Sequence, residues 1–330
     1  MKPILSGAEI KEWDNFTIKN EPISSIKLME RASEAFVFHF TSLFSEKNNV
    51  AVFCGNGNNG GDGLAVSRIL NKMGYSVKVY LLKSKTYSPD LKHNLKKLTP
   101  LNKPIEIDVK NIPMIEDDCI IIDGLLGTGL KERPKGLYKS IIEKINSTPC
   151  TVVSIDTPSG MPCEGIVEET CIIADYTISF QKPKLSFFLS ENNFYLGNLI
   201  IPEIGLHADY LRNKPFNHFL LDKTIGKVIK KRLKHSHKGN YGSILISGGS
   251  YGKIGAVVLS AKAALRSGCG LITTHIPECG YEIIQSTEPC CMTTVSGKKY
   301  ITNFPNEKYD AIGIGPGIGK NKDDSPQSYH

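Results

Sequence analysis

The sequence predicts two α/β domains in series, each built on a parallel β-sheet covered by helices. Three observations predict this fold class. Short apolar runs typical of strands buried on both faces alternate with segments that repeat apolar residues every three or four positions. Glycine-rich loops follow several of these runs, as in sheets whose ligands gather at the carboxyl ends of the strands. The length of 330 residues suits about two domains.

The first half of the chain contains the longer alternation. Residues 26–43 carry a helical apolar stripe, and Ser24 or Ser25 is available as its N-cap. Further helices are predicted at 62–73, 88–98 and 138–145, and strands at 50–54, 77–82, 119–122, 151–155, 176–180 and 198–201. Gly74 is expected to end the second of these helices, because glycine is favoured just after a helix. The pattern is that of a doubly wound α/β domain.

A second α/β pattern begins after an irregular, basic stretch at residues 206–240. We therefore place the domain boundary at 215, giving domains 1–215 and 216–330. The second pattern comprises strands at 243–247, 270–276 and 311–314 and a helix at 256–267. Only eleven residues follow Gly319, whereas a parallel sheet requires a covering helix after such a strand. The second domain is therefore expected to be incomplete.

Composition and charge exclude several classes of protein. Hydrophobic residues make up 40% and charged residues 22%, which is ordinary for a globular protein and excludes a disordered chain. The basic stretch at 223–238 lacks interleaved aromatic residues, so we interpret it as a solvated face and expect no nucleic-acid partner. No apolar run approaches the roughly 18–20 residues that span a membrane, and the N-terminus lacks a signal-peptide core. These features, with nine cysteines and no CxxC pair, predict a reduced, cytoplasmic protein without a membrane partner.

The run at residues 55–60 matches the G-x-G-x-x-G pattern of dinucleotide-binding loops and lies between a strand and a helix. Two features depart from that pattern. The acidic residue expected about 20 positions later is replaced by Lys83, and Asp62 would place a carboxylate against any pyrophosphate bound there. A simple tight turn needs fewer glycines and no aspartate. The loop is therefore predicted to be a ligand site, whose three asparagine amides can hold ribose hydroxyls, phosphate or a cation.

Two further loops are predicted at the same edge of the sheet. One starts at Asp123 and the other at Asp156, each directly after a buried strand. A single aspartate at a strand end is often only a turn cap. Three glycine-bearing loops, each with a carboxylate, at one edge of an α/β sheet predict a ligand site instead.

These motifs resemble a known family. The segments at 28–32, 55–63, 123–129, 156–160 and 177–184 make residues 1–205 similar to the NAD(P)H-hydrate epimerase family, the N-terminal half of bifunctional NAD(P)H-hydrate repair enzymes. The segments at 237–242, 248–250, 255–256 and 315–319 make residues 236–319 resemble the start of the ADP-dependent NAD(P)H-hydrate dehydratase. The resemblance implies a three-layer Rossmann-like domain followed by an incomplete ribokinase-like α/β domain.

The resemblance also implies site residues. Asp156 and Lys184 match the catalytic positions, and Asn59, Asp123 and Ser159 match the ligands of a potassium ion, which is the implied cofactor. The implied substrate-binding residues are Asn58, Asn59, Gly60, Gly61, Asp62, Gly127, Thr128, Gly129, Leu130, Lys131, Glu132, Arg133 and Asp156, with Ala256 and Gly317 in the second domain. Ser186 stands where the family usually has glycine, two places after the lysine.

The implied activity is an isomerase that interconverts the R and S forms of hydrated NADH and NADPH, which is a repair of damaged cofactor. Dehydratase (lyase) activity is expected to be absent because the second domain is expected to be incomplete. ADP or ATP would be a ligand only of a complete second domain. A homo-oligomer is compatible with the resemblance. Two alternatives stay open. The glycine loop and Lys83 are compatible with an NADP-dependent oxidoreductase. The fold is also compatible with a catalytically inert nucleotide-binding module.

Overall fold

A seven-stranded parallel sheet forms the centre of the first half of the chain. The computed structural model describes residues 2–130, 132–212, 214–227 and 231–319. The chain divides into two compact units, residues 1–228 and 229–330. The strands of the first unit are β1 (Lys2–Ile4), β2 (Asn49–Cys54), β3 (Ser76–Leu82), β4 (Ile105–Ile107), β5 (Cys119–Gly124), β6 (Thr151–Ile155), β7 (Tyr176–Ile178), β8 (Asn198–Ile200) and β9 (His218–Leu220). Its helices are α1 (Gly7–Asn20), α2 (Ser25–Leu43), α3 (Asn58–Lys72), α4 (Pro89–Leu98), α5 (Leu137–Asn146) and α6 (Asn193–Leu196).

The order of the parallel strands places three loops side by side. The sheet runs β4-β3-β2-β5-β6-β7-β8, so the strand order reverses between β2 and β5. Such a reversal opens a crevice at the carboxyl ends of the strands, where open α/β sheets bind ligands. The register pairs Phe53 with Asp123 and Asp123 with Ser154, so the loops after β2, β5 and β6 leave the sheet next to one another.

Alternating residues of the strands bury both faces of this sheet, which makes the first unit three-layered. In β2, Val50, Val52 and Cys54 lie in one apolar cluster with residues of α2, α3 and α4. Ala51 and Phe53 lie in a second cluster with residues of α5. The fold class predicted from the sequence is confirmed: the chain is an α/β protein with parallel sheets.

The glycine-rich run is helical where a loop was predicted. Helix α3 begins at Asn58, four residues before the predicted start at 62. A Cβ atom at Gly60 would lie 2.1 Å from the carbonyl oxygen of Gly55, and one at Gly63 would lie 2.8 Å from the Sγ of Cys54. Small residues therefore let the first turns of α3 pack against the end of β2. Other boundary predictions are confirmed, because Ser24 caps α2 and Gly74 follows α3 with φ +93°.

Helix α1 and the β1–β9 ribbon were not predicted. Helix α1 starts with a capping box: the Ser6 hydroxyl accepts from the backbone N–H of Glu9, whose carboxylate accepts from the Ser6 N–H at 2.8 Å. Strand β9 pairs with β1 in antiparallel register. This pairing holds residues 218–220 in the first unit, whereas the predicted boundary at 215 lies before them.

The second unit is built on a four-stranded parallel sheet. Its strands are β10 (Ser243–Ser247), β11 (Leu271–Ile276), β12 (Met292–Val295) and β13 (Ala311–Ile314), in the order β12-β11-β10-β13, and its helices are α7 (Gly255–Ser267) and α8 (Tyr281–Thr287). Ile246, Val257 and Ile276 are buried between the sheet and the helices. All four residues of β13 are exposed. Strand β12 and helix α8 were not predicted, because both are short.

No helix in the described ranges combines the length and the apolar character needed to cross a membrane. All nine cysteines are free thiols.

Because α3 packs against the end of β2, an added methyl group has no room at Gly60 but has room at Gly57. We expect Gly60→Ala to lower the free energy of unfolding by about 1–3 kcal/mol, the usual cost of forcing extra atoms into a packed site. Gly57→Ala is the matched control, because a Cβ atom there meets nothing within 4 Å. Urea unfolding measures both changes. Equal stability of the two variants would contradict the packing role of Gly60.

Candidate active site at the carboxyl edge of the first sheet

Asp123 organises the loops at this edge. Its side chain is fully buried at the end of β5 and accepts hydrogen bonds from the Ser154 hydroxyl at 2.9 Å and from the Ser159 backbone N–H at 2.8 Å. The Ser159 hydroxyl donates to it at 2.5 Å and the Leu125 N–H at 3.2 Å. Burial raises the pKa of Asp123, and the hydrogen bonds from Ser159, Leu125 and Ser154 oppose that rise. One carboxylate therefore joins β5, β6 and the loops that follow both strands.

The predicted potassium ligands meet around the carbonyl oxygen of Leu126. The Asn59 side chain on α3 donates to this oxygen at 2.9 Å, and the Ser159 hydroxyl oxygen lies 3.1 Å from it. Ser159 in turn contacts Asp123. The structure thus brings together Asn59, Asp123 and Ser159, which lie on three different elements. All of their donor atoms are hard oxygens or amide groups, and no group of three or more His, Cys, Asp or Glu side chains suited to a metal occurs in the described part of the chain.

Asp156 and Lys184 form a buried ion pair beside that cluster. Asp156 follows β6 with φ +64°, a left-handed conformation that is uncommon for a residue with a side chain. Its carboxylate accepts from the Lys184 ammonium group and from the Phe180 N–H at 3.2 Å. The Lys184 ammonium also donates to the Ser179 hydroxyl at 2.6 Å. The side chain of Lys184 is only 1% exposed, against 15% for Asp156. The lysine is therefore a component of the site and not a surface residue.

Two more carboxylates face this pair. Asp62 lies in the first turns of α3, and its pKa is raised by burial and by the negative charges of Asp156, Asp14 and Asp90. Asp14 lies on α1, where burial, assisted by Asp156 and opposed by Lys184, raises its pKa to about 7. Asp62 was predicted from the sequence, whereas Asp14 was not. The available signal was weak: Asp14 lies in an amphipathic helix with Ile10 and Thr17, far from the other motifs along the chain.

The loop from Gly127 to Arg133 was predicted to contact phosphate. Gly127 packs against Asn59, since a Cβ atom there would lie 3.2 Å from that side chain, whereas Gly129 faces open space. Arg133 is about half exposed and forms ion pairs with Glu168 and, at 2.8 Å, with Glu169. A phosphate group would have to compete with these two carboxylates for Arg133. Lys131 lies outside the described residues.

In the second unit, the implied substrate-binding residues Ala256 and Gly317 lie together. Gly317 has φ +66°, and a Cβ atom there would lie 3.3 Å from the Cβ of Ala256 and 2.3 Å from the carbonyl oxygen of Lys253. The Ser250 hydroxyl donates to the Gly317 carbonyl at 2.8 Å. Two glycine-rich loops therefore meet at the start of α7.

Comparison with known families agrees with both resemblances. The family described as "YjeF-related protein N-terminus" matches residues 25–186. The chain belongs to the YjeF-related family. The family described as NAD(P)H-hydrate dehydratase matches residues 244–326. Because that family matches the second unit, the expected absence of dehydratase activity is not supported, and we do not maintain it.

Curated relatives match both units in one alignment. The chain is 31% identical over 334 residues to the bifunctional NAD(P)H-hydrate repair enzyme Nnr of Coxiella burnetii, covering 97% of this chain and 66% of the relative. It is 33% identical over 288 residues to the Moorella thermoacetica enzyme of the same name, covering 83% and 54%. The chain thus spans about two thirds or less of the length of these relatives. The resemblance inferred from the sequence is confirmed.

A solved structure supports the fold of the first unit. The crystal structure of yeast ynu0 superposes with a TM-score of 0.50 and 23% sequence identity, covering 55% of this chain and 81% of the yeast chain. At that identity the likeness concerns the fold alone.

The buried ion pair has a consequence for stability. We expect Lys184→Met to lower the free energy of unfolding by about 3 kcal/mol, because removing one partner leaves the Asp156 carboxylate and the Ser179 hydroxyl without their donor. Lys139→Met, at an exposed position of α5, serves as the control and should change stability by less than about 0.5 kcal/mol. Chemical unfolding measures both. A Lys184→Met protein as stable as the parent would show that the pair is not buried.

Proposed function

We propose that the first unit interconverts the R and S epimers of hydrated NADH and NADPH at C6 of the nicotinamide ring. One observation carries this proposal: the Asp156–Lys184 pair lies at the carboxyl edge of the sheet, in the loops after β6 and β7, and the glycine-rich start of α3 follows β2 at the same edge. A nucleotide fits such a crevice. The family match and the names of the curated relatives support a hydrated nicotinamide nucleotide as the substrate.

The features in which this site differs from a hydride-transfer site favour epimerisation. The crevice contains a carboxylate in the first turns of α3 and a carboxylate–lysine pair. A site that only binds a pyrophosphate does not need these groups. They suit a reaction in which a proton must reach and leave an oxygen atom. In an epimerisation, the nucleotide is the reactant and not a hydride carrier, so the site needs acid–base groups near the ring.

The residues of the chain supply a simple route. The C6 hydroxyl leaves as water after accepting a proton, while the ring nitrogen shares its electron pair with C6 to give an iminium ion. Water then adds to the opposite face of C6 and returns a proton to the site. Asp156 is placed to exchange the proton and to stabilise the transient positive charge, and Lys184 holds that carboxylate in position. This assignment makes Asp156 the catalytic residue and Lys184 its positioning partner.

We propose further that Asn59, Asp123 and Ser159 hold a potassium ion. The Asn59 side-chain amide and the Ser159 hydroxyl both contact the Leu126 carbonyl, and Ser159 also contacts the Asp123 carboxylate. The Asn59 Oδ1 accepts no hydrogen bond from the described residues, so it is available as a ligand. A bound monovalent cation would offset the negative charge of Asp123 and add positive charge near the substrate's phosphate groups.

The second unit supports a role in the same repair. Its match to the dehydratase family and the juxtaposition of Ala256 and Gly317 support a nucleotide-hydrate site there. ADP or ATP is the co-substrate that this family resemblance implies.

Removal of the proposed catalytic carboxylate tests the epimerase. We expect Asp156→Asn to reduce the rate of R–S exchange by about 10²–10⁴-fold, the usual contribution of a general acid–base group, while nucleotide binding is largely kept. Chromatography that separates the two hydrates measures the exchange. Asp117→Asn, at an exposed position before β5, is the control and should leave the rate unchanged.

Two results would contradict the proposal. The first is exchange by the parent protein no faster than in buffer, which would favour an inert nucleotide-binding module. The second is oxidation of ordinary NADPH with a second substrate, which would favour the oxidoreductase. Near-parental exchange by Asp156→Asn would reject only the role of that residue.

The potassium proposal predicts a cation-dependent stability. Replacing K⁺ by tetramethylammonium at constant ionic strength should lower the thermal stability of the parent, by about 1.4 kcal/mol if K⁺ is at ten times its Kd. Asn59→Ala should abolish this difference. Ser154→Ala is the matched control, since it removes a hydrogen bond to Asp123 without removing a proposed ligand. An identical response of the parent and Asn59→Ala would refute the site.

A further inference from the structure

Helix α1 presents one face to the proposed epimerase site. Gly7, Ile10, Asp14 and Thr17 follow one another at intervals of three and four residues, so they lie on the same side of the helix. At the start of this stripe, a Cβ atom on Gly7 would lie 3.2 Å from the Sγ of Cys163 and 3.5 Å from the Thr128 carbonyl oxygen. Both neighbours belong to loops of the site.

The other end of this face of α1 also contacts neighbouring segments. Thr17 is fully buried, and its hydroxyl accepts from the His207 N–H at 3.0 Å. Trp13, beside Asp14 in the sequence, is buried and lies in an apolar cluster against which Phe180 also packs. The Phe180 N–H is one of the donors to Asp156. Helix α1 is therefore anchored on both sides of Asp14, against the segment that carries the catalytic pair.

Asp14 is an unusual residue on this face. Its carboxylate is half-buried and forms no hydrogen bond or ion pair with any residue in the described ranges. The charged groups that face it are Asp156 and Lys184, with Asp62 on α3. A carboxylate in such surroundings costs stability, because nothing replaces the water it has lost. A half-buried carboxylate without a hydrogen-bond partner, located in a crevice, is a candidate acid–base residue.

Inversion at C6 requires proton transfer on both faces of the ring. If the hydroxyl leaves from one face and water adds to the other, a second acid–base group on the face opposite Asp156 makes both proton transfers direct. Asp156 and Lys184 come from the edge of the sheet, whereas Asp14 comes from α1, which covers the loops of that edge. The site thus offers one acid–base group from each of two elements.

We propose that Asp14 is a second catalytic acid–base residue, which exchanges a proton with the C6 oxygen on the ring face opposite Asp156. The proposal rests on the proposed epimerase function. In one direction, the Asp14 carboxylic acid protonates the leaving hydroxyl, the C6–O bond breaks and water departs, and the ring nitrogen forms a double bond to C6. A water molecule then bonds to C6 from the other face and gives its proton to Asp156. The reverse direction exchanges the two roles, so both epimers are handled by the same pair.

The raised pKa of Asp14 suits proton exchange with the substrate and determines whether stability rises or falls with pH. Its pKa of about 7 leaves both protonation states populated near neutrality. The native state holds this proton more tightly than the unfolded chain does, so the contribution of Asp14 to folding stability falls as the pH rises from 3.8 to about 7. Asp14→Asn removes this loss.

The experiment compares the parent with Asp14→Asn and with Glu12→Gln, an exposed carboxylate of the same helix. R–S exchange is measured by chromatography from pH 5 to 9 for kcat and KM, and thermal unfolding is measured at pH 8. We expect kcat of Asp14→Asn to fall by about 10²-fold or more with little change in KM. We expect the limb of the parent's pH profile near 7 to disappear in this variant, its Tm at pH 8 to equal or exceed that of the parent, and Glu12→Gln to behave as the parent.

The outcomes separate the two proposals. Parental exchange no faster than buffer rejects the epimerase and the role of Asp14 with it. Fast parental exchange with an unchanged kcat or an unchanged pH profile in Asp14→Asn rejects only the role of Asp14. A lower kcat together with a lower Tm at pH 8 also rejects it, because the loss then reflects folding.

Discussion

The buried carboxylate of Asp123 is the constraint on which the site depends. It accepts four hydrogen bonds at the end of β5, and two of its donor residues, Ser154 and Ser159, lie on either side of Asp156 along the chain. The segment between these anchors therefore has few conformations available. This explains how Asp156 is held at a positive φ, which costs on the order of 1–3 kcal/mol. The same anchors bring Ser159 next to Asn59.

The electrostatics of the site follow from this arrangement. The carboxylates of Asp14 and Asp156 interact with the single buried ammonium group of Lys184, and the negative charge of Asp156 also acts on Asp62. Lys184 forms its ion pair with Asp156, whereas burial, assisted by neighbouring carboxylates, raises the pKa values of Asp14 and Asp62. Raising the pKa of selected carboxyl groups by burial is how a protein obtains an acid from side chains that are ordinarily bases. The arrangement reduces stability at neutral pH, as expected where charged groups are placed for function.

Part of this structure could be predicted from the sequence. The apolar runs that became β2, β5 and β6 are continuous and are followed by glycine and aspartate, so the edge of the sheet and its residues were predictable. The start of α3 was not, since a run rich in glycine and asparagine has low helix propensity and is helical here because it packs on β2. Strands of three residues such as β1 and β9 show no periodicity. Asp14 was missed because the charged residues that act on it, Asp156 and Lys184, lie more than a hundred residues away in the sequence.

The central claim is that this edge of the sheet inverts C6 by loss and return of the hydroxyl group. Incubation of a single hydrate epimer with the chain in ¹⁸O-labelled water tests it most directly, with chromatography and mass spectrometry of both epimers over time. We expect inversion much faster than in buffer, with one labelled oxygen at C6 for each molecule inverted. Inversion at the buffer rate, or fast inversion that leaves the oxygen unlabelled, would contradict it.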